Sequence, residues 1–313
     1  MRGGALILLA AVLAFALFTD RRADLREAEI EALYQPLGHV IDIDGKPVHV
    51  IVKGSGPDLV LIHGAGGNTR DFTFRLTDQL SDRYRVFVVD RPGLGWSAPL
   101  RPAASPEDQA RHLAKATRAL GAENPIVLGH SYGAAVAMAW ALNDPTSALV
   151  IVSGATMPWP GPLRPYYRIF GSKLGGWLAG PLVSAYVGQN RLNRSVAGVF
   201  APAPTPDGYV TGAAIPLAIR SAPFRESAAQ VKALRPEVVK LSADYHTIQQ
   251  PVEIIHGLDD TTVYADIHAI PLSKVLPDAS LTLLEGVGHA PHHVEPDTVL
   301  MAIDRAASRA GLR

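Results

Sequence analysis

The 313-residue chain contains no cysteine. Disulfides, thiolate metal sites and cysteine nucleophiles are therefore excluded. That absence does not select a redox compartment, because a cysteine-free chain suits either side of a membrane. Net charge is missing too: 29 basic residues balance 29 acidic ones. No basic surplus marks a nucleic-acid partner. Charged residues make up only 19% of the chain and hydrophobic residues 48%, too apolar for a disordered segment. A chain of this length buries about three quarters of its unfolded surface. One large α/β domain or two smaller ones would fit it.

The longest apolar run stands at the start. Residues 5–18 hold no polar side chain, and with Gly3 and Gly4 the run reaches 16 residues. As a helix it spans ~24 Å, short of the ~30 Å hydrocarbon core of a bilayer. It reads as a membrane anchor or as the apolar part of a signal peptide. The one A-x-A, Ala14-Phe15-Ala16, sits inside the run, whereas a cleavage site should follow it. Residues 1–18 are therefore expected to be an uncleaved anchor, with membrane contact through residues 3–18. If they were removed, the product would be secreted or periplasmic. A buried core helix is the alternative, but it should show a polar face. Arg2 precedes the run and Arg21, Arg22 and Arg26 follow it. That count leans toward a cytoplasmic bulk, and the membrane side stays open. Residues 19–35 are charged and helix-favouring, and Pro36 marks a stop. They predict a helical stalk over 19–37, outside the globular fold.

The body alternates short apolar runs with helical stretches. His39–Ile43 and residues 48–52 are β-branched runs separated by Asp44-Gly45, a strong hairpin signal. Runs at 59–62, 86–89, 126–128, Ala148–Val152, 252–255 and 281–284 are mostly apolar, and each leads into a glycine-containing turn. Only Glu253 and Thr282 interrupt them. This is the pattern of strands buried on both faces of a mostly parallel sheet. Ser105-Pro106-Glu107-Asp108 is a helix start: a cap residue, a first-turn proline, then acids facing the helix dipole. Ligands of such sheets bind at the carboxyl ends of the strands, where these turns lie.

Residues 155–250 differ. They carry 11 of the 25 prolines, 10 of the 21 aromatics, and ten Lys/Arg against four Asp/Glu. Their net charge of +6 leaves −6 on the rest of a neutral chain. They are expected to form a cap inserted between core segments 38–154 and 251–313. Residues 158–187 mix Trp159, Tyr166, Tyr167, Phe170, Trp177 and Tyr186 with Arg164, Arg168 and Lys173. Three readings stay open: a helical cap with solvated charges, a membrane-interface surface, or a basic pocket for anions.

Gly129-His130-Ser131-Tyr132-Gly133 matches G-x-S-x-G, follows a buried strand and opens a helix, the context that motif requires. The glycines permit a turn sharp enough to project the serine Oγ, and the helix N-terminus offers N–H groups to an oxyanion. A nucleophilic serine needs a base, and the base needs an orienting acid. Asp259 and Asp260 follow a late strand, and His289 follows the last one.

With these residues the chain resembles the α/β-hydrolase superfamily, in particular its cap-bearing carboxylesterases, cofactor-free haloperoxidases and C–C bond hydrolases. The resemblance covers about residues 38–308. It rests on five ordered motifs: His63-Gly64-Ala65-Gly66-Gly67, the stretch from Asp90 to Ser97, Gly129 to Gly133, Gly257 to Asp260, and Gly288-His289-Ala290-Pro291. It implies the α/β-hydrolase fold, Ser131 as nucleophile, His289 as base, and Asp260 rather than Asp259 as the acid. It also implies an oxyanion hole from the backbone N–H groups of Ala65 and Tyr132, structural roles for His63 and His130, and no cofactor. Serine at position 131 disfavours the epoxide hydrolases and dehalogenases, whose nucleophile is an aspartate.

The expected activity is hydrolysis of a hydrophobic, small-molecule carboxylic ester through an acyl-enzyme, by a membrane-tethered enzyme. A C–C bond hydrolase of the meta-cleavage type, a haloperoxidase or an acyltransferase could use the same triad. Carboxylate-binding arginines in the pocket would favour the C–C hydrolase. A ligand-binding protein without catalysis is the reading from a different class. His289, His292 and His293 could ligate a metal as neutral imidazoles, but no acidic trio completes a site in the sequence. No metal is expected, and His292 and His293 are expected at the surface or against the cap. Asp90-Arg91-Pro92-Gly93 is expected to be a structural turn, and Trp96 a packing residue.

Overall fold

The computed structural model describes residues 2–313. The chain begins with helix α1 (Arg2–Leu33), then strands β1 (His39–Ile43), β2 (Lys46–Lys53) and β3 (Asp58–Ile62). Short helices α2 (Arg70–Thr73) and α3 (Leu76–Ser81) lead to β4 (Arg85–Val89). Next come α4 (Pro106–Ala119), β5 (Ile126–His130), α5 (Tyr132–Asn143) and β6 (Ala148–Val152). Five helices follow: α6 (Pro165–Phe170), α7 (Lys173–Tyr186), α8 (Gln189–Phe200), α9 (Tyr209–Gly212) and α10 (Ser221–Ser242). The chain then returns through β7 (Val252–Gly257), α11 (Ala269–Val275), β8 (Ala279–Leu284), α12 (Pro291–Val294) and α13 (Pro296–Arg309).

The eight strands form one sheet in the order β1-β2-β4-β3-β5-β6-β7-β8. β1, β2 and β4 pair antiparallel, and every pairing from β4 through β3 to β8 is parallel. The β1–β2 hairpin turns at Asp44 and Gly45 with both φ positive, at 53° and 76°. Those are the dihedrals a two-residue turn needs to follow strand twist. Alternate residues of the inner strands serve opposite faces. Val60 and Ile62 join the core under α4 and α5, while Leu59 and Leu61 join the core under α13. This is why these strands read as unbroken apolar runs. β8 departs from that expectation: it is the edge strand and is only half-buried along its length. Glu253, the acid inside β7, is buried because Arg305 and Arg309 of α13 clamp both its oxygens at 2.6–3.0 Å. α4 opens with the expected reciprocal cap between Ser105 and Asp108.

α1 is a single helix across the boundary expected near residue 18. Residues 4–18 are exposed on every side. Its second half is not a free stalk. Thr19, Ala23 and Ile30 are buried, and Arg22 and Arg26 donate to the carbonyls of Ala185, Ser184 and Val187 at the end of α7. Glu27 accepts from Ser221, and Glu31 pairs with Arg220. Four of the charges that suggested a solvated stalk, Arg22, Arg26, Glu27 and Glu31, bond the segment inserted between β6 and β7. On α6 and α7, Tyr166, Ile169, Leu174, Trp177, Leu178 and Leu182 remain exposed.

Candidate active site

β5 passes into α5 through one residue, Ser131, held at φ 55° and ψ −116°. A non-glycine residue rarely accepts a left-handed φ, and such strain costs on the order of 1–3 kcal/mol. The flanking glycines make the turn possible. A Cβ on Gly129 would collide with the Gly133 carbonyl, and one on Gly133 with the Ile62 carbonyl of β3. The Ser131 side chain therefore stands at the carboxyl edge of the sheet, immediately before the N-terminus of α5.

The loops after β7 and β8 bring two distant residues to it. His289 Nε2 lies 2.9 Å from Ser131 Oγ, and His289 Nδ1 lies 2.6 Å from Asp260 Oδ2. Asp260 Oδ1 accepts from the Thr262 and Val263 N–H groups at 2.8 and 2.9 Å. Burial alone would raise the Asp260 carboxyl, but the nearby His256 ring and the His289 hydrogen bond hold it well below the usual carboxylate range. Asp259 is exposed and accepts from the Gly286 N–H at 2.9 Å.

Ala65 lines the same cavity as Ser131, and Tyr132 is the first residue of α5. A Cβ on Gly64 would stand 3.0 Å from Ser131 Cβ, so the loop after β3 packs directly on the serine. His63 sits behind that loop: its Nδ1 bonds the Gly64 carbonyl at 2.8 Å and its Nε2 accepts from the Arg91 N–H at 3.0 Å. His130 Nε2 bonds the His289 carbonyl at 2.9 Å.

Arg91 is fully buried and does more than close a turn. Its guanidinium donates to the carbonyls of His63 and Gly64 at 3.0 Å, and to Gln109 and Gln230 at 2.9 and 2.7 Å. It stacks 4.2 Å from the centre of the Tyr132 ring. One side chain thus braces the loop carrying Ala65, the residue after Ser131, and the α10 helix. The only hint in the sequence was an arginine inside a turn motif; nothing in the spacing linked it to Gly64. Asp90 is the structural residue expected, accepting from Thr69 N–H at 2.6 Å and Trp96 N–H at 2.8 Å and pairing with His49. Trp96 packs, with its indole N–H on the Tyr34 carbonyl and Arg220 over its ring.

The two histidines of α12 are not at the surface. His292 is 1% and His293 4% exposed, and His293 lies against Phe200 and Tyr209, the cap contact expected. Both face Asp71, a buried acid from α2 that the sequence did not single out. Burial opposes ionisation of Asp71, yet His292 and His293 hold its carboxyl well below the ordinary range. Burial pushes His292 down to about 4.

The cavity at Ser131 measures about 210 Å³. Val196, Val199, Phe200, Tyr209, Ala213 and Ile215 supply its apolar side, all from the segment between β6 and β7. Among the described residues no arginine or lysine lines it.

Comparison with known proteins matches residues 59–302 to the alpha/beta hydrolase family. The chain belongs to that family. An uncharacterized protein of Mycobacterium tuberculosis is 28% identical over 308 residues, covering 92% of this chain and 85% of the relative. Among solved structures, an esterase from Thermogutta terrifontis aligns with a TM-score of 0.67 at 18% identity, over 87% of this chain and 97% of its own. A bacterial membrane phospholipase A aligns with a TM-score of 0.63 at 22% identity, over 96% of this chain and 97% of its own. A meta-cleavage product hydrolase from Pseudomonas fluorescens aligns equally well, with a TM-score of 0.67 at 18% identity, over 88% and 99%. At these identities the structural likenesses speak for the fold.

Proposed function

We propose that the protein is a serine hydrolase of hydrophobic carboxylic esters, tethered to a membrane by the first half of α1. The observation that carries the reading is the unbroken Ser131–His289–Asp260 hydrogen-bond chain at the mouth of an apolar cavity. His289 takes the Ser131 proton as Oγ attacks the acyl carbon. Asp260 holds the imidazole with Nε2 toward the serine and stabilises the imidazolium that forms. The N–H groups of Ala65 and Tyr132 receive the oxyanion; losing one such donor typically costs ~10²–10³ in rate. His289 then returns the proton to the leaving alcohol, and water activated by the same ring releases the acid.

The cavity's mostly apolar wall, its lack of lysine and arginine, and the Asp71 carboxylate among its lining favour an uncharged acyl group. This weighs against a C–C hydrolase whose substrate presents a carboxylate. The tether reading is supported by the length and apolar character of α1 and by the exposure of its residues 4–18.

The decisive experiment treats the full-length protein and Ser131→Ala with a fluorophosphonate and records intact mass. A single adduct on the wild type alone is expected. A folded wild type that takes no adduct would remove the hydrolase reading and favour a ligand-binding role. Co-sedimentation with liposomes, before and after deletion of residues 1–18, tests the tether separately.

A further inference from the structure

On the wall of the Ser131 cavity, Asp71 meets three imidazoles. Asp71 comes from α2, His292 and His293 from α12, and His130 from the end of β5. His293 Nε2 lies 2.9 Å from Asp71 Oδ1. His292 Nε2 lies 3.4 Å and His130 Nδ1 3.9 Å from Asp71 Oδ2. Asp71, His292 and His293 offer ligand atoms all within 4.8 Å of one another, and all are buried.

Three features separate this cluster from an ordinary hydrogen-bond network. The first is spacing. Zinc–nitrogen and zinc–oxygen bonds of about 2.0–2.2 Å put two ligands of one tetrahedral ion roughly 3.3–3.6 Å apart. The 3.4 Å from His292 Nε2 to Asp71 Oδ2 meets that value, while the 2.9 Å from His293 Nε2 to Asp71 Oδ1 is a hydrogen-bond distance. The second is the number of buried nitrogens without a partner among the described residues: both on His292, and Nδ1 on His130 and His293. On His130, Nε2 spends its N–H on the His289 carbonyl, so Nδ1 is a bare lone pair facing a carboxylate. A backbone carbonyl fixing the far nitrogen is how metal-binding histidines are oriented. The third is charge. Among the described residues no lysine or arginine pairs with Asp71; its remaining partner is the Tyr209 hydroxyl, which donates at 2.6 Å.

We propose that Asp71, His292 and His293 form a binding site for one divalent transition-metal ion of the zinc class, with His130 beside it. Imidazole and carboxylate donors suit zinc and its neighbours better than calcium or magnesium. The ion ties α2, which follows the loop of Ala65, to α12, which follows His289. Its role is to hold those two loops in place; the chemistry at Ser131 does not pass through it. The proposal stands apart from the hydrolase reading and survives its failure.

The test uses the full-length protein in detergent, stripped with a chelator and titrated with Zn²⁺ alone. One equivalent retained through gel filtration is expected, with a rise of several degrees in melting temperature. In Asp71→Asn and His293→Gln both the retained metal and the thermal shift should fall at least tenfold. Should those variants fail to fold, the wild type loaded with Co²⁺ decides, because four-coordinate nitrogen and oxygen ligation has a distinctive visible absorption. A folded wild type that retains less than a tenth of an equivalent overturns the proposal, as does a Co²⁺ spectrum of octahedral type. Full retention by a folded Asp71→Asn overturns it too, since the metal would then sit on other histidines.

Discussion

Arg26 of α1 donates to the carbonyls of Ser184 and Val187 at 2.9 and 2.5 Å, closing the C-terminal end of α7. The last carbonyls of a helix lack partners within it, so a guanidinium there satisfies acceptors and complements the helix dipole. The N-terminal helix α1 is thereby locked onto α7, one of the helices inserted between β6 and β7.

Removing residues 1–18 should therefore leave a stable domain, while removing 1–35 should not. The longer deletion uncovers the site of Ile30, worth about 1.5–3 kcal/mol of burial, and frees Arg220 and the α7 terminus. A melting temperature lower by on the order of 10 °C is expected for the longer deletion alone. Equal melting temperatures for the two truncations would show the docked half to be dispensable.

Asp260→Asn should reduce kcat by about 10⁴, because the imidazole loses the acceptor that sets its tautomer. Asp259→Asn should stay within a few-fold of wild type, since its carboxylate is exposed and bonds only the Gly286 N–H. Hydrolysis of a water-soluble ester by both variants decides, and the opposite ranking would reassign the acid.

Arg91→Lys should lower kcat by about 10- to 100-fold with a smaller change in KM. A lysine cannot span the carbonyls of His63 and Gly64 while also reaching Gln109 and Gln230. The loop carrying the Ala65 N–H then loses its brace, a fraction of the ~10²–10³ attached to a whole oxyanion donor. Unchanged labelling by a fluorophosphonate would confine Arg91 to stability.

Stability should fall between about pH 6.5 and pH 4. Burial, with Arg91 nearby, pushes His63 down to about 4, and burial does the same to His268. Both would titrate near 6.5 when unfolded. In that window the unfolded chain binds protons that the native chain refuses, so stability drops as pH falls, and the histidine share of the loss is complete by about pH 4. Each group contributes up to about 3 kcal/mol to the drop. Asp260, whose folded value is depressed, adds a loss only below about pH 4. Melting temperatures recorded from pH 7 to 4 check this, and a flat profile would contradict it.

The strands, the hairpin at Asp44-Gly45, the cap of α4 and the Ser131 turn were legible in the sequence because each is a local pattern. Period-2 burial, paired positive φ, a reciprocal cap and two glycines around a serine are written within a few residues. Ser131 and His289 were legible for the same reason, each in its own glycine turn. Asp260 needed the family spacing, because Asp259 has the same chemistry one residue away; only the direction of the loop after β7 separates them. Arg91 and Asp71 could not be read, since their partners lie 18 to 222 positions away and are chosen by the stacking of the sheet-edge loops. The same holds for α1. Its charges fit a solvated stalk as well as a docked helix, and only the position of α7 decides which, by bringing open carbonyls to Arg22 and Arg26.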